Sequence, residues 1–232
     1  MYPFIVDYEI YPMRAIYNIT VNAKDADEAR YIASNLLTAA AKIIDVRSGK
    51  PMDIKQLFLM QKGFDARVLE EKNLTWEGTF QLRILAFIDE VAECMKEWRG
   101  FKFWSDDRIP RTRVLDGDCV VLDTGEILNQ KYVNPLLEEY VDGLHFAISL
   151  CIHTGAQVYY PVAILCDDVA EQFLEIYSLA VRLKDKPTSS NADILLSHYL
   201  GLGEMLGFKL EEIEHAYIDK NKVNHDRQNN GY

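Results

Sequence analysis

The sequence is short of positive charge and of long hydrophobic runs. Its 25 Lys and Arg residues are outnumbered by 36 Asp and Glu residues, which gives a formal net charge of −11. Such an acidic chain lacks the basic surface that non-specific binding to nucleic acids or membranes requires. No apolar run approaches the length of a membrane span. We therefore expect neither a nucleic-acid partner nor a membrane partner.

Paired cysteine motifs are also missing. The four cysteines show no Cys-x-x-Cys spacing and lie at Cys94, Cys119, Cys151 and Cys166. The first residues lack a basic start followed by a continuous apolar core, so we expect no secretory signal. Free thiols in a reducing compartment are the simplest interpretation, and the predicted location is cytoplasmic.

What remains is the composition of an ordinary globular protein. The 232 residues are 49% hydrophobic and 26% charged, enough for one domain with an appendage. The charge constrains the substrate, because a phosphorylated ligand would meet a repulsive field. A metal ion and a local basic cluster would have to overcome that field.

The stretch 135–150 predicts an amphipathic helix with acids in an apolar setting. Asn134 is a suitable N-cap and Pro135 suits the first helical position. Glu139, Asp142 and His145 recur at spacing three, beside an apolar stripe. Carboxylates that are partly buried are costly unless something positive compensates them, and a hard cation would do so.

A second predicted helix, 81–98, carries a similar pair, Glu90 and Glu93. We expect its apolar face to contain Leu85, Ile88, Ala92 and Met95. Glu-x-x-Glu is common on solvated helix faces, so either pair alone is weak evidence. Two pairs on two apolar helices resemble the acid clusters of metal-binding bundles, and oxygen ligands favour Mg²⁺, Mn²⁺ or Ca²⁺.

The first 52 residues differ in character from the rest. A strand is predicted over 14–22, a helix from the N-cap Asp25 to about Ala41, and a strand over 42–47. Residues 1–52 therefore form a predicted β-α-β appendage, with a structural or partner-binding role as the default and an unknown partner as a possibility.

Residues 53–232 predict a helical domain. Helices are expected over 53–72, 162–184, 192–206 and 210–220, in addition to the two acid helices. A β-hairpin with a turn at 123–125 is predicted inside a long insertion, about 108–134. The tail after residue 220 is polar.

Several of these stretches resemble the dimeric dUTP diphosphatases of the all-α NTP pyrophosphatase superfamily, which includes the MazG-like enzymes. The matching runs, in order, are QKGFD, FIDEVAE, FKFW, LLEEYVDGLHF and AYIDKNKVNHDRQNNGY. The resemblance implies a mostly α, helical-bundle core and a homodimer.

The resemblance also implies an activity: Mg²⁺-dependent hydrolysis of dUTP, and of dUDP, to dUMP, with pyrophosphate released from dUTP. By position, Glu90, Glu93, Glu139 and Asp142 would hold Mg²⁺, with Mn²⁺ as a possible substitute. Glu90 or Glu93 would orient or deprotonate the attacking water.

Further positions would contact the nucleotide. The resemblance implies phosphate contacts for Lys102, Lys220, Asn224 and Arg227, and base or sugar contacts for Gln61, Trp104, His145 and Phe146. The last three phosphate-binding positions are about one helical turn apart, and without the resemblance they would read as a solvated helix. Related first helices carry an Asn near Asp65, and an ionised Asp accepts hydrogen bonds but cannot donate them.

Three alternatives stay open at this point. The first is a broader nucleoside triphosphate pyrophosphatase, acting for example on dCTP. The second is a regulatory protein that keeps the fold and works through residues 1–52. The third, a purely structural helical dimer, gives no reason to place four acids on apolar helices.

Overall fold

A computed structural model of the chain describes residues 1–10, 15–48, 52–116, 120–121, 127–128, 131–156 and 162–231. Helices dominate the described residues, which confirms the mostly α prediction. The elements, in order, are β1 (Tyr2–Ile10), β2 (Ala15–Ala23), α1 (Ala26–Leu36), β3 (Ala41–Ser48), α2 (Ile54–Glu71), α3 (Trp76–Trp98), β4 (Val114–Leu115), β5 (Val120–Val121), β6 (Ile127–Leu128), β7 (Tyr132–Val133), α4 (Pro135–Thr154), β8 (Ala163–Ile164), α5 (Val169–Asp185), α6 (Ser189–Met205) and α7 (Leu210–Asn229).

The N-terminal segment is a ββαβ unit, not the predicted β-α-β unit. β1, which was not predicted, pairs antiparallel with both β2 and β3. Asp25 caps α1 as predicted, accepting from the Glu28 amide at 2.9 Å. The helix ends at Leu36, short of the predicted Ala41, because Ala41 pairs with Ile10 in the sheet. The predicted strand start at Arg14 lies outside the described residues.

This sheet also takes in a strand from the helical part of the chain. Its order is β3-β1-β2-β8, and Ile16 pairs with Ala163. Residues 4–33 contribute a small hydrophobic cluster of their own, whereas Met52 belongs to the large helical cluster. The domain boundary at residue 52 stays a prediction.

Side-chain caps fix the starts of the helices that form the bundle. Asp53, Thr75 and Asn134 each accept from a backbone amide at the start of α2, α3 and α4. The Asn134 cap and Pro135 were predicted, but α3 begins five residues before the predicted Gln81.

The predicted apolar face of α3 was wrong at Leu85, whereas Ile88 and Met95 are half-buried and pack against the core as predicted. Leu85 is 62% exposed. The fully buried apolar residues of α3 include Ile84, Phe87, Val91 and Cys94, which were not predicted.

A reciprocal contact holds α4 against α6. The rings of Tyr140 and Tyr199 stack with centroids 4.9 Å apart. Each hydroxyl donates to the other residue's carbonyl oxygen, at 3.2 Å from Tyr140 and 2.7 Å from Tyr199. Gly143 permits this approach, because a Cβ there would lie 2.1 Å from the Tyr199 hydroxyl.

The insertion between α3 and α4 contains paired strands. β5 pairs antiparallel with β6, which confirms the predicted hairpin, and β4 pairs with β7. The predicted turn at 123–125 and Cys119 lie outside the described residues.

The last three helices differ from prediction at their ends. The predicted helix 162–184 is divided, because β8 and a loop precede α5, which begins at the Asp168 N-cap. α6 starts at Ser189, three residues before its predicted start. α7 does not stop near Lys220 but continues through the polar tail to Asn229.

Membrane-spanning helices and disulfide bonds can be assessed only for the described residues. None of their helices is long and apolar enough to cross a membrane. Their three cysteines, Cys94, Cys151 and Cys166, are free thiols.

Candidate active site

The predicted acids of α3 and α4 converge. Glu90 and Glu93 on α3 and Glu139 on α4 each offer a carboxylate oxygen, and the three oxygens lie within 4.8 Å of one another. All three side chains are half-buried. Two neighbouring helices therefore form one acidic cluster at their interface.

Asp142 lies beside this cluster but is already paired. Its Oδ2 is 2.5 Å from the Lys220 ammonium group of α7. Lys220 also contacts Glu138, at 3.2 Å. Lys220, which was predicted to bind phosphate, is thus an internal counter-ion of two carboxylates of α4.

Electrostatics in the cluster disfavour ionisation of its members. Burial, with added repulsion from Asp142 and the other acids, raises the pKa of Glu90 to about 7. Burial and the same kind of repulsion raise the pKa of Glu139 to about 7. Burial also raises the pKa of Asp142, although its hydrogen bond with Lys220 opposes that shift. Lys96 pairs with Glu93 at 3.2 Å, so two lysines, Lys96 and Lys220, face a group of four carboxylates.

A divalent cation fits this donor set. The ligands are all carboxylate oxygens, which Mg²⁺, Mn²⁺ and Ca²⁺ prefer. Two oxygens bound to one Mg²⁺ lie at most about 4.2 Å apart, so small side-chain rotations would bring the three onto one ion. The cation would also relieve the repulsion that raises the two pKa values.

A cavity of about 410 Å³ opens beside the acids and extends away from them. The predicted site residues that line it are Gln61, Glu90, Asp142, His145, Phe146, Lys220, Asn224 and Arg227. Its lining also includes Phe64, Asp65, Thr79 and Arg83, which were not predicted as site residues. The cavity is therefore enclosed by α2, α3, α4 and α7.

The polar tail forms one wall of the cavity because α7 is docked on α2. Arg67 donates to the Asn229 side-chain oxygen at 2.9 Å and to His225 Nδ1 at 3.3 Å. The ring of Phe64 meets that of His225 edge to face, with centroids 5.1 Å apart. These contacts hold Asn224 and Arg227 at the cavity wall.

At the end of the cavity away from the acids, one carboxylate is surrounded by donors. Asp65 accepts from Ser149 Oγ at 2.6 Å and from Gln61 Nε2 at 2.9 Å. Arg83 Nη1 lies 3.5 Å from the same carboxylate and donates to Ser149 Oγ at 3.1 Å. Tyr217 donates to Gln61 Oε1 at 3.0 Å. Both ends of the Gln61 amide are therefore used within the protein.

His145 lies between the two ends of the cavity. Its Nδ1 is 2.8 Å from the Val141 carbonyl and donates to it, and its ring stacks on Tyr217 at 3.8 Å. Burial lowers the pKa of His145 to about 4. The ring is thus neutral near pH 7 and Nε2 is an acceptor, for which no described residue supplies a donor.

Two predicted site residues lie elsewhere. Trp104 is 65% exposed and packs edge to face on Phe101 and Phe103, in the turn after α3. The Lys102 ammonium group lies 5.9 Å from the Phe101 ring. Neither residue lines the cavity.

Arg83 and Ser149 were missed by the sequence analysis. A signal was available, because Arg83 precedes Glu90 by seven residues and Ser149 follows Asp142 by seven. That spacing is two helical turns, which places each residue on the same helix face as the acid.

A bundle that brings carboxylates together beside a cavity that basic residues also line defines a class of protein, the helical, divalent-metal-dependent nucleotide hydrolases. The sequence model of the family described as dUTPase matches residues 53–118 and 127–232. The chain therefore belongs to the all-α dUTPase family and is a dUTP diphosphatase. The searches of curated proteins and of solved structures gave no match.

Proposed function

We propose that this dUTPase uses Mg²⁺ to hydrolyse dUTP to dUMP and pyrophosphate, and also hydrolyses dUDP to dUMP and phosphate. The observation that carries the proposal is the trio of carboxylate oxygens from Glu90, Glu93 and Glu139, within 4.8 Å of one another. The trio lies beside a cavity that Lys220, Asn224 and Arg227 of α7 also line.

The acids have two roles in the proposed reaction, metal binding and activation of the attacking water. Glu90, Glu93, Glu139 and Asp142 hold the metal, which when bound neutralises phosphate oxygens and makes water more acidic. Glu90 or Glu93 orients or deprotonates the attacking water. That water adds to the α-phosphorus, and the bond from the α-phosphorus to the leaving pyrophosphate oxygen breaks.

The basic residues of α7 bind the outer phosphates. Arg227 and Lys220 supply charged donors and Asn224 an amide donor. Lys220, now paired with Asp142, would be available to phosphate once a metal ion compensated that carboxylate. Lys102 joins them if its turn approaches the cavity in the substrate complex.

The nucleoside occupies the part of the cavity beyond the acids. Phe146 packs against the deoxyribose and leaves no room for a 2′-hydroxyl, while Gln61 and His145 contact the base. Trp104 stacks on the uracil ring, which also requires the 101–104 turn to approach the cavity.

We propose a homodimer formed through α3 and α5. These helices pack against each other and expose Leu82, Leu85, Leu174 and Val181, which are 61%, 62%, 69% and 55% exposed. An exposed apolar surface of this kind is typical of an interface. Leu85→Glu should convert the dimer into a monomer in light-scattering measurements, and an unchanged mass would exclude this interface.

Residues 1–52 form a separate α/β domain in this proposal, supported by the small hydrophobic cluster of their own. The free thiols of Cys94, Cys151 and Cys166 favour the cytoplasm as the compartment. A regulatory role through residues 1–52 is the alternative. It would be preferred if Glu90→Gln abolished hydrolysis and left the biological role intact.

A substrate panel tests the activity. Pyrophosphate and phosphate release should be measured from dUTP, dUDP, dCTP, dTTP and UTP, with Mg²⁺ and with EDTA. We expect hydrolysis of dUTP and dUDP only with the metal. Equal rates for UTP and dUTP would contradict the role of Phe146, and full activity in EDTA would contradict the metal site.

A further inference from the structure

Arg83 is a buried cation that the proposed chemistry leaves without a role. It lies seven residues before Glu90 on α3, and its contact Ser149 lies seven residues after Asp142 on α4. Seven residues of helix span about 10 Å. Because Arg83 and Ser149 meet two turns from the acids on both helices, they mark the end of the cavity opposite the metal site.

Arg83 is held rigidly but keeps donors to spare. Nη1 donates to Ser149 and pairs with Asp65, and the guanidinium carbon lies 4.0 Å above the Trp76 ring. Arg83 is buried and lines the cavity. Among the described residues, none accepts a hydrogen bond from its Nη2 or Nε. A guanidinium has five N–H donors, and these two nitrogens are not among the fully buried atoms that lack a partner, so a ligand in the cavity can reach them.

The neighbouring histidine offers the complementary group. His145 lies one helical turn before Ser149, on the face of α4 that lines the cavity. It is 4% exposed, and its Nε2 has no partner among the described residues. Nδ1 donates to Val141, so Nε2 of the neutral ring is an acceptor. The base end of the cavity thus presents donors from Arg83 and an acceptor from His145.

That polarity matches one pyrimidine edge. Uracil carries an acceptor at C4=O, the carbonyl furthest from the sugar, and a donor at N3–H beside it. Cytosine carries an amino group at C4 and a lone pair at N3, so it would set donor against donor and acceptor against acceptor. With phosphates at the acids and sugar at Phe146, C4 is the part of the base that reaches furthest along the cavity.

We propose that Arg83 is a specificity-determining residue that donates to the C4 carbonyl of uracil while His145 Nε2 accepts from N3–H. Asp65, Ser149 and Trp76 are positioning residues, which hold the guanidinium in place. The inference rests on the proposed function, because it assumes that the metal and phosphates occupy the acidic end.

A purely structural role for Arg83 makes a different prediction. If the guanidinium only balanced Asp65, its loss would lower stability and reduce the hydrolysis of every nucleotide by a similar factor. If it reads the base, its loss changes the ratio between substrates.

The experiment therefore compares kcat/KM for dUTP and dCTP, with Mg²⁺, in wild type and in Arg83→Lys. Lysine keeps the charge beside Asp65 but loses the fork of the guanidinium. We expect the dUTP-to-dCTP ratio to fall roughly 10- to 100-fold, mainly through dUTP. The uncharged double variant Asp65→Asn/Arg83→Gln should show the same fall in the ratio. It replaces Arg83→Lys in this comparison if that variant does not fold.

Gln172→Leu is the matched control. Gln172 is also buried and donates to two carbonyl oxygens, those of Ile164 and His198, but it lies outside the cavity. It should lower the melting temperature and leave the substrate ratio unchanged. A fall in the ratio in this control would show that instability alone alters specificity, and would overturn the inference.

Thio-substituted substrates locate the contact. Sulfur accepts hydrogen bonds poorly, so wild type should lose more activity on 4-thio-dUTP than on 2-thio-dUTP, and Arg83→Lys should lose this difference. Equal losses on dUTP and dCTP in Arg83→Lys would overturn the inference and leave the proposed function standing. A wild type that did not hydrolyse dUTP with Mg²⁺ would overturn the proposed function itself.

Discussion

The two ends of the cavity treat carboxylates in opposite ways. At one end Glu90, Glu93 and Glu139 gather around one point, where Lys96 pairs with Glu93 at 3.2 Å and Lys220 pairs with Asp142. At the other end a single carboxylate, Asp65, accepts from Gln61 and Ser149 and pairs with Arg83. Both ends contain residues of α3 and α4, and Asp65 itself belongs to α2.

This difference separates a binding site from a built-in structural network. A cluster of like charges is unfavourable until a ligand supplies the missing cation. Metal binding at the acidic end should therefore lower the free energy of the folded state. At the Asp65 end the carboxylate itself is compensated without a ligand, so its hydrogen bonds contribute to folding and hold Arg83 in place for the base. Substitutions at the acidic end should therefore act mainly on activity, and substitutions of Asp65 should act mainly on stability.

The largest effect should come from the acidic end. Glu90→Gln removes a charged metal ligand and should lower kcat for dUTP by about 10³-fold, since it removes charge at the reacting phosphate. Steady-state pyrophosphate release measures this loss.

Glu97→Gln is the control for that variant. Glu97 lies on the same helix and pairs with Arg111 outside the cluster, so its activity should stay within about twofold of wild type. If Glu90→Gln kept a tenth of the wild-type kcat, the acidic end would not be the catalytic end.

At the other end, Asp65→Ala should act mainly on stability. It leaves Arg83, Ser149 and Gln61 without their acceptor and should lower the free energy of unfolding by about 2–4 kcal/mol. Urea unfolding followed by circular dichroism measures the loss. A variant as stable as wild type would show that the two ends do not differ in the way described.

A substitution that disturbs the packing of α4 should have a smaller effect on stability. This helix carries residues of both ends of the cavity. Gly143→Ala would drive a methyl group into the Tyr199 hydroxyl, and should cost about 1–3 kcal/mol of stability. Gly63→Ala on α2 is the matched change, because a methyl group added there would meet no atom within 4 Å. It should be neutral or stabilising by up to about 1 kcal/mol. Equal melting temperatures for the two variants would exclude the tight α4–α6 contact.

The smallest expected effect is a change in how stability depends on pH when Glu139 is replaced. The folded pKa of Glu139, about 7, exceeds the ordinary value of 4.5, so the unfolded chain releases this proton first. Without metal, ionised Glu139 then lowers stability progressively as pH rises from about 4.5 to 7. Glu139→Gln in EDTA should match the wild-type melting temperature below this window and exceed it at pH 8.

Mg²⁺ should reverse that order, because it requires the ionised carboxylate. Comparing one variant with wild type cancels titrating groups outside the acidic cluster, including His145, whose lowered pKa acts in the opposite sense. Loss of the Glu139 charge also relieves Glu90, which adds to the difference in the same direction. A variant that melted below wild type at pH 8 in EDTA would contradict the repulsion at the acidic end.

Local signals in the sequence predicted the acidic end well. Asn134 with Pro135 fixed the start of α4, and the i, i+3 pairs placed four acids on the facing sides of two helices. Helical spacing also aligned Lys220, Asn224 and Arg227 on the cavity side of α7. In each case the deciding interaction is within one helix or follows from its period.

The features that were missed depend on contacts distant in the sequence. β1 forms a strand through pairing with β2 and β3, and its sequence was given no assignment. Leu85 was assigned to the core because it is apolar, whereas burial on α3 follows the stripe of Ile84 and Phe87. The Asp65 network joins three helices, which periodicity within any one of them cannot reveal.

The most direct test is the position of the metal in crystals grown with Mn²⁺ and a non-hydrolysable dUTP analogue. Anomalous scattering locates Mn²⁺ independently of the protein phases. The account predicts a peak bound by carboxylate oxygens of Glu90, Glu93 and Glu139, with the analogue's phosphates facing α7. A peak elsewhere, or phosphates bound at the Arg83 end, would contradict it.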